Sequence, residues 1–166
     1  MIVTVTVNPA IDRTVLADRL VFDDRAYILS TGEAAGGRGI NASSVIQSFG
    51  GKTLAIVTAG GETGSRFKSL LGKYEFPVQF VPVKNDIRIN LTITDKHGLG
   101  IKLNEVGPEL SGEELDKLEQ TVRSRLPKAK WLMLCGSLPP GAPADFYQRL
   151  IQIAHAQNVQ TLLDTD

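Results

Sequence analysis

Two glycine-bearing turns and a few polar side chains carry the chemistry this sequence can support. The first turn is Ala35-Gly36-Gly37-Arg38-Gly39-Ile40-Asn41, opening a helix. Glycines let a ligand approach the backbone, and a helix N-terminus offers unpaired N–H groups and the positive end of a dipole. Arg38 adds a planar fork of donors suited to a phosphate. A plain glycine turn before a helix accounts for the local pattern equally well. The second turn is Cys135-Gly136-Ser137-Leu138-Pro139-Pro140-Gly141, directly after an apolar run. Ligands of open α/β sheets sit at the carboxyl ends of strands, where Ser137 would donate a hydrogen bond; its other reading is a turn cap. Ser137 lacks the GxSxG context, and His97 and His155 have no triad placement, which argues against a hydrolase nucleophile. Asp12, in Asn8-Pro9-Ala10-Ile11-Asp12, either accepts hydrogen bonds from sugar hydroxyls or caps a turn. Arg88 lies on the polar side of an alternating segment, where it binds a substrate phosphate or keeps that face wet.

These residues need elements to hold them. Val3, Val5 and Val7 alternate with Thr4 and Thr6, the period of a strand, and Asn8-Pro9 closes it. After Gly39, the spacing of Ala42, Val45, Ile46 and Phe49 predicts a helix with that stripe in the core, stopped by Gly50-Gly51. Thr53 to Thr58 and Val78 to Val83 read as strands, with Phe67, Leu70, Leu71 and Tyr74 on a helix between them. Ser111 and Glu114 make a capping box for a helix that runs to Leu126. Its acidic first turn, Glu113, Glu114 and Asp116, favours the helix dipole and is no metal site. Trp131 to Cys135 reads as a strand buried on both faces. Phe146, Leu150, Ile153 and Ala154 mark another helix, with Asn158 as a left-handed cap, and Thr161 to Asp164 opens a last buried strand. Strands alternating with helices predict a three-layer α/β sheet.

One segment departs from that alternation. Ile87, Ile89, Leu91 and Ile93 point one way and Arg88, Asn90, Thr92 and Thr94 the other; after a turn at Asp95-Lys96-His97-Gly98, Ile101 and Leu103 alternate with Lys102 and Asn104. The pattern predicts a hairpin with one apolar and one polar face. A lone hairpin is marginal in water, so it is expected to pair with the weakly alternating segment 13–31 and form a small antiparallel flap. The apolar face of that flap needs the protein body or a second subunit to cover it.

Composition limits the function. The 166 residues hold 18 Lys and Arg against 18 Asp and Glu, so a polycation built to neutralise nucleic-acid phosphates or to lie on a membrane is not expected. With 42% hydrophobic and 22% charged residues, the chain has a globular composition. The single cysteine excludes an internal disulfide framework and fits a reducing, cytoplasmic setting. No run approaches the ~20 apolar residues of a membrane span. The chain stops at Leu162-Leu163-Asp164-Thr165-Asp166, where a strand finishes, so a fragment of a longer protein is expected.

In order, the segments NPAID, GGRGIN, TAGGETG, IRIN, NEVGPELS, GSLPPG and LLDTD resemble the N-terminal half of a ribokinase-type (PfkB) carbohydrate kinase. Within that family they are most similar to the 1-phosphofructokinase and tagatose-6-phosphate kinase branch. The resemblance implies an α/β fold: residues 1–166 would form the N-terminal part of one ribokinase-like domain, a three-layer parallel sheet with a small antiparallel lid at about 13–31 and 87–104. It also implies ATP-dependent transfer of a phosphoryl group to fructose 1-phosphate, tagatose 6-phosphate or a similar ketose phosphate. Asp12 and Asn41 would then hold sugar hydroxyls, and Gly36 and Gly37 would let the sugar lie against the backbone. Arg88 would bind the phosphate the substrate already carries, with Ser137 near the same sugar. Arg38 stands where this branch usually has lysine, which exchanges a point charge for a planar fork. The lid would join two subunits into a homodimer. No GxGD sequence occurs, so the family's catalytic aspartate and its ATP and Mg2+ sites would belong to the rest of a parent protein roughly twice this length. This chain alone is expected to be inactive. Two other readings stay open: a sugar-phosphate-binding fragment without catalysis, and a dinucleotide-dependent oxidoreductase resting only on the GxGxxA match at Gly37 to Ala42.

Overall fold

A computed structural model of the chain describes residues 1–165. Its centre is a parallel sheet of five strands: β1 (Ile2–Thr6), β4 (Thr53–Gly60), β5 (Val78–Val83), β8 (Trp131–Cys135) and β9 (Gln160–Asp164), in the order β5-β4-β1-β8-β9. Helices α1 (Arg38–Ser48) and α2 (Gly61–Leu71) cover one face; α3 (Gly112–Arg125) and α4 (Phe146–His155) cover the other. The alternation within β1 explains the layers. Val3 and Val5 point into a core shared with Leu118 and Val122 of α3 and Phe146 and Leu150 of α4. Thr4 and Thr6 point towards α1 and are also buried. Thr4 Oγ1 lies 2.8 Å from Ser43 Oγ, which lies 3.0 Å from Thr53 Oγ1, so a string of hydroxyls satisfies itself beneath the helix. Ser111 and Glu114 form the expected reciprocal cap, and Asn158 takes the expected left-handed backbone at φ 58°.

One expectation about burial does not hold. Helix α1 forms, but its buried face is Gly39, Ile40 and Ser43, while Val45 is 55% and Phe49 87% exposed. At 100° per residue, the stripe of Ala42, Val45, Ile46 and Phe49 centres roughly 140° away from the direction shared by Ile40 and Ser43. The threonines of β1 select the hydroxyl of Ser43 in place of an apolar stripe. Strand β9 forms at the sheet edge, with Leu162 and Leu163 half-exposed.

The second sheet has four strands in the order β3-β2-β6-β7: β2 (Ala10–Ala17), β3 (Ile28–Gly36), β6 (Arg88–Asp95) and β7 (Gly100–Asn104). The predicted hairpin is β6–β7, and β2–β3 is a second antiparallel pair. The central pairing of β2 with β6 is parallel, so the sheet is mixed, not wholly antiparallel. The chain reaches β6 by way of β4, α2 and β5, a crossover long enough for a parallel return. Register then builds two faces. Asp12, Asn90 and Asn104 share one row of the polar face, and Thr14, Thr92 and Lys102 the next. Leu91 with Leu103, and Ile93 with Ile101, line the other face. On that apolar face Glu33 accepts from Arg13 Nε at 2.8 Å and also pairs with Arg66 of α2, which pins the second sheet to the body.

Asp95 holds the tip of this sheet. One carboxylate oxygen accepts from the His97 and Leu99 amides at 2.8 and 3.0 Å; the other accepts from the Leu20 amide at 3.2 Å. Burial alone would raise the pKa of Asp95, but these amides outweigh it and hold the group below its ordinary 3.8. A depressed carboxylate contributes stability above its unfolded pKa and loses it as pH falls through the folded value. We expect amide exchange at Leu20, His97 and Leu99 to lose protection together on acidification below pH 3.8, and to lose it at neutral pH in Asp95→Ala.

Candidate functional site

Strand β1 ends at the centre of the parallel sheet, and the chain turns through Asn8-Pro9 straight into β2 of the second sheet. The polar face of the second sheet therefore hangs over the carboxyl ends of β1 and β8 and over the N-terminus of α1. Between them is a cleft of about 240 Å³. Six of the seven residues singled out in the sequence line it: Asp12, Gly37, Arg38, Asn41, Arg88 and Ser137. Gly36 stands behind it; a Cβ there would overlap the Asp12 carboxylate. Neither His97 nor His155 lines the cleft; His155 Nε2 lies 3.1 Å from Thr161 Oγ1.

Each group is held in place. Asn90 Nδ2 donates to Asp12 Oδ1 at 2.9 Å and so orients the carboxylate. Arg88 donates through Nη1 to the Glu105 carbonyl at 2.9 Å and through Nη2 to the Asn8 carbonyl at 3.0 Å. Burial lowers the Arg88 pKa below that of a free guanidinium, against the opposing charges of Asp12 and Glu105. The group remains a cation at neutral pH. Arg38 Nη1 reaches Asp164 Oδ1 at 3.3 Å. The carbonyl of Gly136, next to Ser137, accepts from Tyr147 Oη at 2.9 Å and Thr165 Oγ1 at 3.1 Å, which fixes the turn after β8. Burial, and then Asp164, push the neighbouring Cys135 thiol up to about 11. At neutral pH it is a thiol, not a nucleophilic thiolate.

Glycine sets the geometry at the head of α1. Gly37 has φ 146°, and a Cβ on it would lie 2.7 Å from Thr6 Cγ2. No side chain caps this helix end, so its first N–H groups face the cleft.

The cleft's polar groups are incompletely used. Thr6 Oγ1, Asn8 Oδ1, Arg88 Nε and Asn90 Oδ1 are buried without a partner, and all four residues line it. Buried polar atoms are normally paired, so their convergence marks a site for a ligand rich in donors and acceptors. A larger groove of about 770 Å³ lies on the opposite face of the second sheet, among Val15, Tyr27, Leu70, Leu91 and Ile93, and shares none of these atoms. Thr6, Asn8, Asn90, Lys102 and Asn104 are lining residues that the sequence reading did not select. For the last three a signal existed, because period two places them on the same side as Arg88. Thr6 and Asn8 gave none, since a threonine within a valine strand reads only as strand. Among the described residues no three His, Cys, Asp or Glu side chains converge as a metal site, and no helix is long and apolar enough to cross a membrane.

Residues 4–166 match the family model of the pfkB family carbohydrate kinases. The chain belongs to this family. It is 31% identical over 165 residues to an ATP-dependent 6-phosphofructokinase isozyme 2 of Mycobacterium tuberculosis, covering 99% of this chain and 49% of that protein. Phosphofructokinase-2 from Escherichia coli, solved in complex with fructose-6-phosphate, superposes with a TM-score of 0.91 at 29% identity, over 99% of this chain and 55% of that one. A tetrameric inhibited form of the same enzyme gives 0.90 at 29% identity, over 99% and 54%. The chain thus spans about half the length of the relatives it matches. The fold is the ribokinase-like α/β fold of these kinases. The dinucleotide reading is not favoured: Gly37 to Ala42 follow β3 of the second sheet, not the first strand of the parallel sheet as that motif requires.

The close contact at α1 makes a stability prediction. A Cβ at Gly39 would lie 2.5 Å from Thr6 Oγ1 and 3.0 Å from the Val5 carbonyl oxygen. Gly39→Ala should cost about 1–3 kcal/mol in urea unfolding, as overpacking against backbone does. A Cβ at Gly112 meets nothing within 4 Å, and Gly112→Ala should lie between no change and a gain of about 1 kcal/mol.

Proposed function

We propose that the cleft is the sugar-phosphate site of an ATP-dependent ketose-phosphate kinase, and that residues 1–166 are the N-terminal part of its single ribokinase-like domain, with the second sheet as the lid. The observation that carries this reading is the pairing of an Asn90-oriented Asp12 carboxylate with the cations Arg88, Arg38 and Lys102 in one small cleft that also contains unpartnered polar atoms. A carboxylate suits hydroxyl donors and a guanidinium suits a phosphate. Asp12 and Asn41 hold sugar hydroxyls, and Gly36 and Gly37 let the ring lie against the backbone. Arg88 engages the phosphate already on the substrate, Ser137 lies near the same sugar, and Arg38 adds positive charge at the helix N-terminus. Fructose 6-phosphate, fructose 1-phosphate and tagatose 6-phosphate all satisfy this description.

ATP and Mg2+ are the co-substrate and metal of the proposed reaction. The described residues are not fitted to the metal, since no ligand cluster converges, and no GxGD motif occurs in the sequence. This half of the site binds and orients the acceptor sugar. By itself the 166-residue chain binds without transferring phosphoryl groups. The kinase is cytoplasmic, and it pairs as a homodimer through the apolar face of the lid, where Ile101 is 44% and Leu103 52% exposed.

The test is ADP release by the full-length protein with each of the three ketose phosphates. At least one should be turned over, and Asp12→Ala should lower kcat/KM for it by about a hundredfold or more, the loss expected when a charged partner of sugar hydroxyls is removed. Turnover of none of them would end this reading. Leu103→Lys should shift the full-length protein towards monomer in sedimentation velocity; an unchanged dimer would place the interface elsewhere.

A further inference from the structure

The second sheet joins the body where β1 meets β2, β3 meets α1, β5 meets β6 and β7 meets α3. Arg88 is the first residue of β6, so the crossing from Lys84 to Ile87 sets where its side chain starts. That crossing is tied to the body along its length. The Lys84 amide donates to Glu114 Oε1 at 2.6 Å, and Asn85 Nδ2 donates to the Glu109 carbonyl at 3.0 Å. The start of α2 holds the last two residues. Asp86 Oδ1 accepts from the Thr63 amide at 3.1 Å, the bond an N-cap side chain would accept in a helix whose own N-cap is Gly60. Thr63 Oγ1 donates to the Ile87 carbonyl at 3.0 Å; Asp86 Oδ1 lies farther from it, at 3.4 Å. Gly61 permits this approach: it takes φ 65°, and a Cβ on it would lie 2.6 Å from Asp86 Cα. Thr63 itself does not line the cleft.

We propose that Thr63 is a positioning residue for the cleft: its hydroxyl fixes the peptide plane between Ile87 and Arg88 and so aims the Arg88 side chain. This rests on the reading of the cleft as a sugar-phosphate site. The Ile87 carbonyl and the Arg88 amide belong to one planar group, so a bond on that oxygen sets the rotation of the whole plane. Arg88 needs this control because its far end is already committed. Nη1 and Nη2 donate to the carbonyls of Glu105 and Asn8, each on a different crossing between the sheet and the body. Those two bonds hold the tip of the side chain, and Thr63 holds its root. Nε lies between them, buried and without a partner. A rigid planar fork loses its fit when its root rotates, where a flexible ammonium would follow its partner. The competing role for Thr63 is to secure the start of α2. That duty belongs to its amide, which every residue but proline possesses.

The experiment compares Thr63→Val and Thr63→Ser in the full-length protein. It measures turnover of whichever of fructose 6-phosphate, fructose 1-phosphate and tagatose 6-phosphate the unaltered protein uses best. Thr63→Val keeps the amide that Asp86 accepts and removes only the hydroxyl, so it should fold. Its KM for the ketose phosphate should rise about fivefold, the worth of one neutral hydrogen bond. Its kcat should stay within about twofold, because binding lost equally from the ground and transition states appears in KM. Thr63→Ser restores the hydroxyl and should bring KM back to within about twofold. In an Arg88→Lys background the same Thr63→Val change should move KM by less than about twofold, since no planar fork is left to aim. An unchanged KM in Thr63→Val would overturn the role of Thr63 and leave the sugar-phosphate reading standing. So would a rise that Thr63→Ser does not rescue, or one that persists in full beside Arg88→Lys, since a purely structural role explains both. Turnover of none of the three ketose phosphates by the unaltered protein would overturn the reading of the cleft and this inference with it.

Discussion

The distance between α1 and β1 is the constraint on which the cleft depends. Helix α1 lies so close to the strand that Gly39 has no room for a Cβ beside Thr6 and the Val5 carbonyl. Only a residue without a side chain permits that approach. The Thr4–Ser43–Thr53 hydroxyl string holds the two elements together where an apolar contact would need more space. Because the helix begins there, its uncapped N–H groups and Asn41 face the end of β1. The helix sits at one level, Asp12 hangs from the second sheet at another, and the cleft is the gap between them. If the helix were displaced by the width of a methyl group, the polar groups would remain but would no longer converge.

The second sheet does two jobs because its side chains alternate. One face offers Asp12, Asn90, Asn104 and Lys102 to the cleft; the other offers Leu91, Ile93, Ile101 and Leu103. A slip of one residue in the β2–β6 register would exchange the faces, so register must be fixed firmly. Glu33 holds the sheet against the body from the apolar side, bridging Arg13 of β2 and Arg66 of α2. Asp95 fixes the far end by tying the β6–β7 turn to Leu20. Both carboxylates lie away from the cleft and serve it only by holding the sheet at the angle at which its polar face overhangs the parallel strands.

Much of this was legible in the residues, for reasons that also explain the failures. Local periodicity reports whether a segment is a helix or a strand, and β1, α3, β8 and the β6–β7 hairpin follow it. Periodicity does not report what lies opposite. The apolar stripe of α1 faces outward because β1 presents threonines, a fact about another element. The parallel β2–β6 pairing depends on a crossover of some seventy residues, which no local pattern contains. Asp12, Arg38, Arg88 and Ser137 stand out because charge and hydroxyl at turns or on a polar face are conspicuous. Thr6 and Asn8 are hidden because their role comes from burial without a partner, which exists only once the chain has folded.

The unpartnered atoms also say what kind of molecule the cleft suits. Leaving one buried polar atom unpaired costs about 1–3 kcal/mol, a large share of the net stability of a domain. Four such atoms around one small space are sustained when something occupies it, water or ligand. Their mixture excludes a simple anion. Arg88 Nε is a donor, while Asn8 Oδ1 and Asn90 Oδ1 are acceptors, and Asp12 is an acceptor carrying full charge. A bare phosphate would satisfy the cations and leave Asp12 and the two amide oxygens without donors. A neutral polyol would satisfy the acceptors and leave the cations unanswered. A molecule with several hydroxyls at one end and a phosphate at the other meets both demands at once, and that is the electrostatic argument behind the proposed sugar-phosphate site.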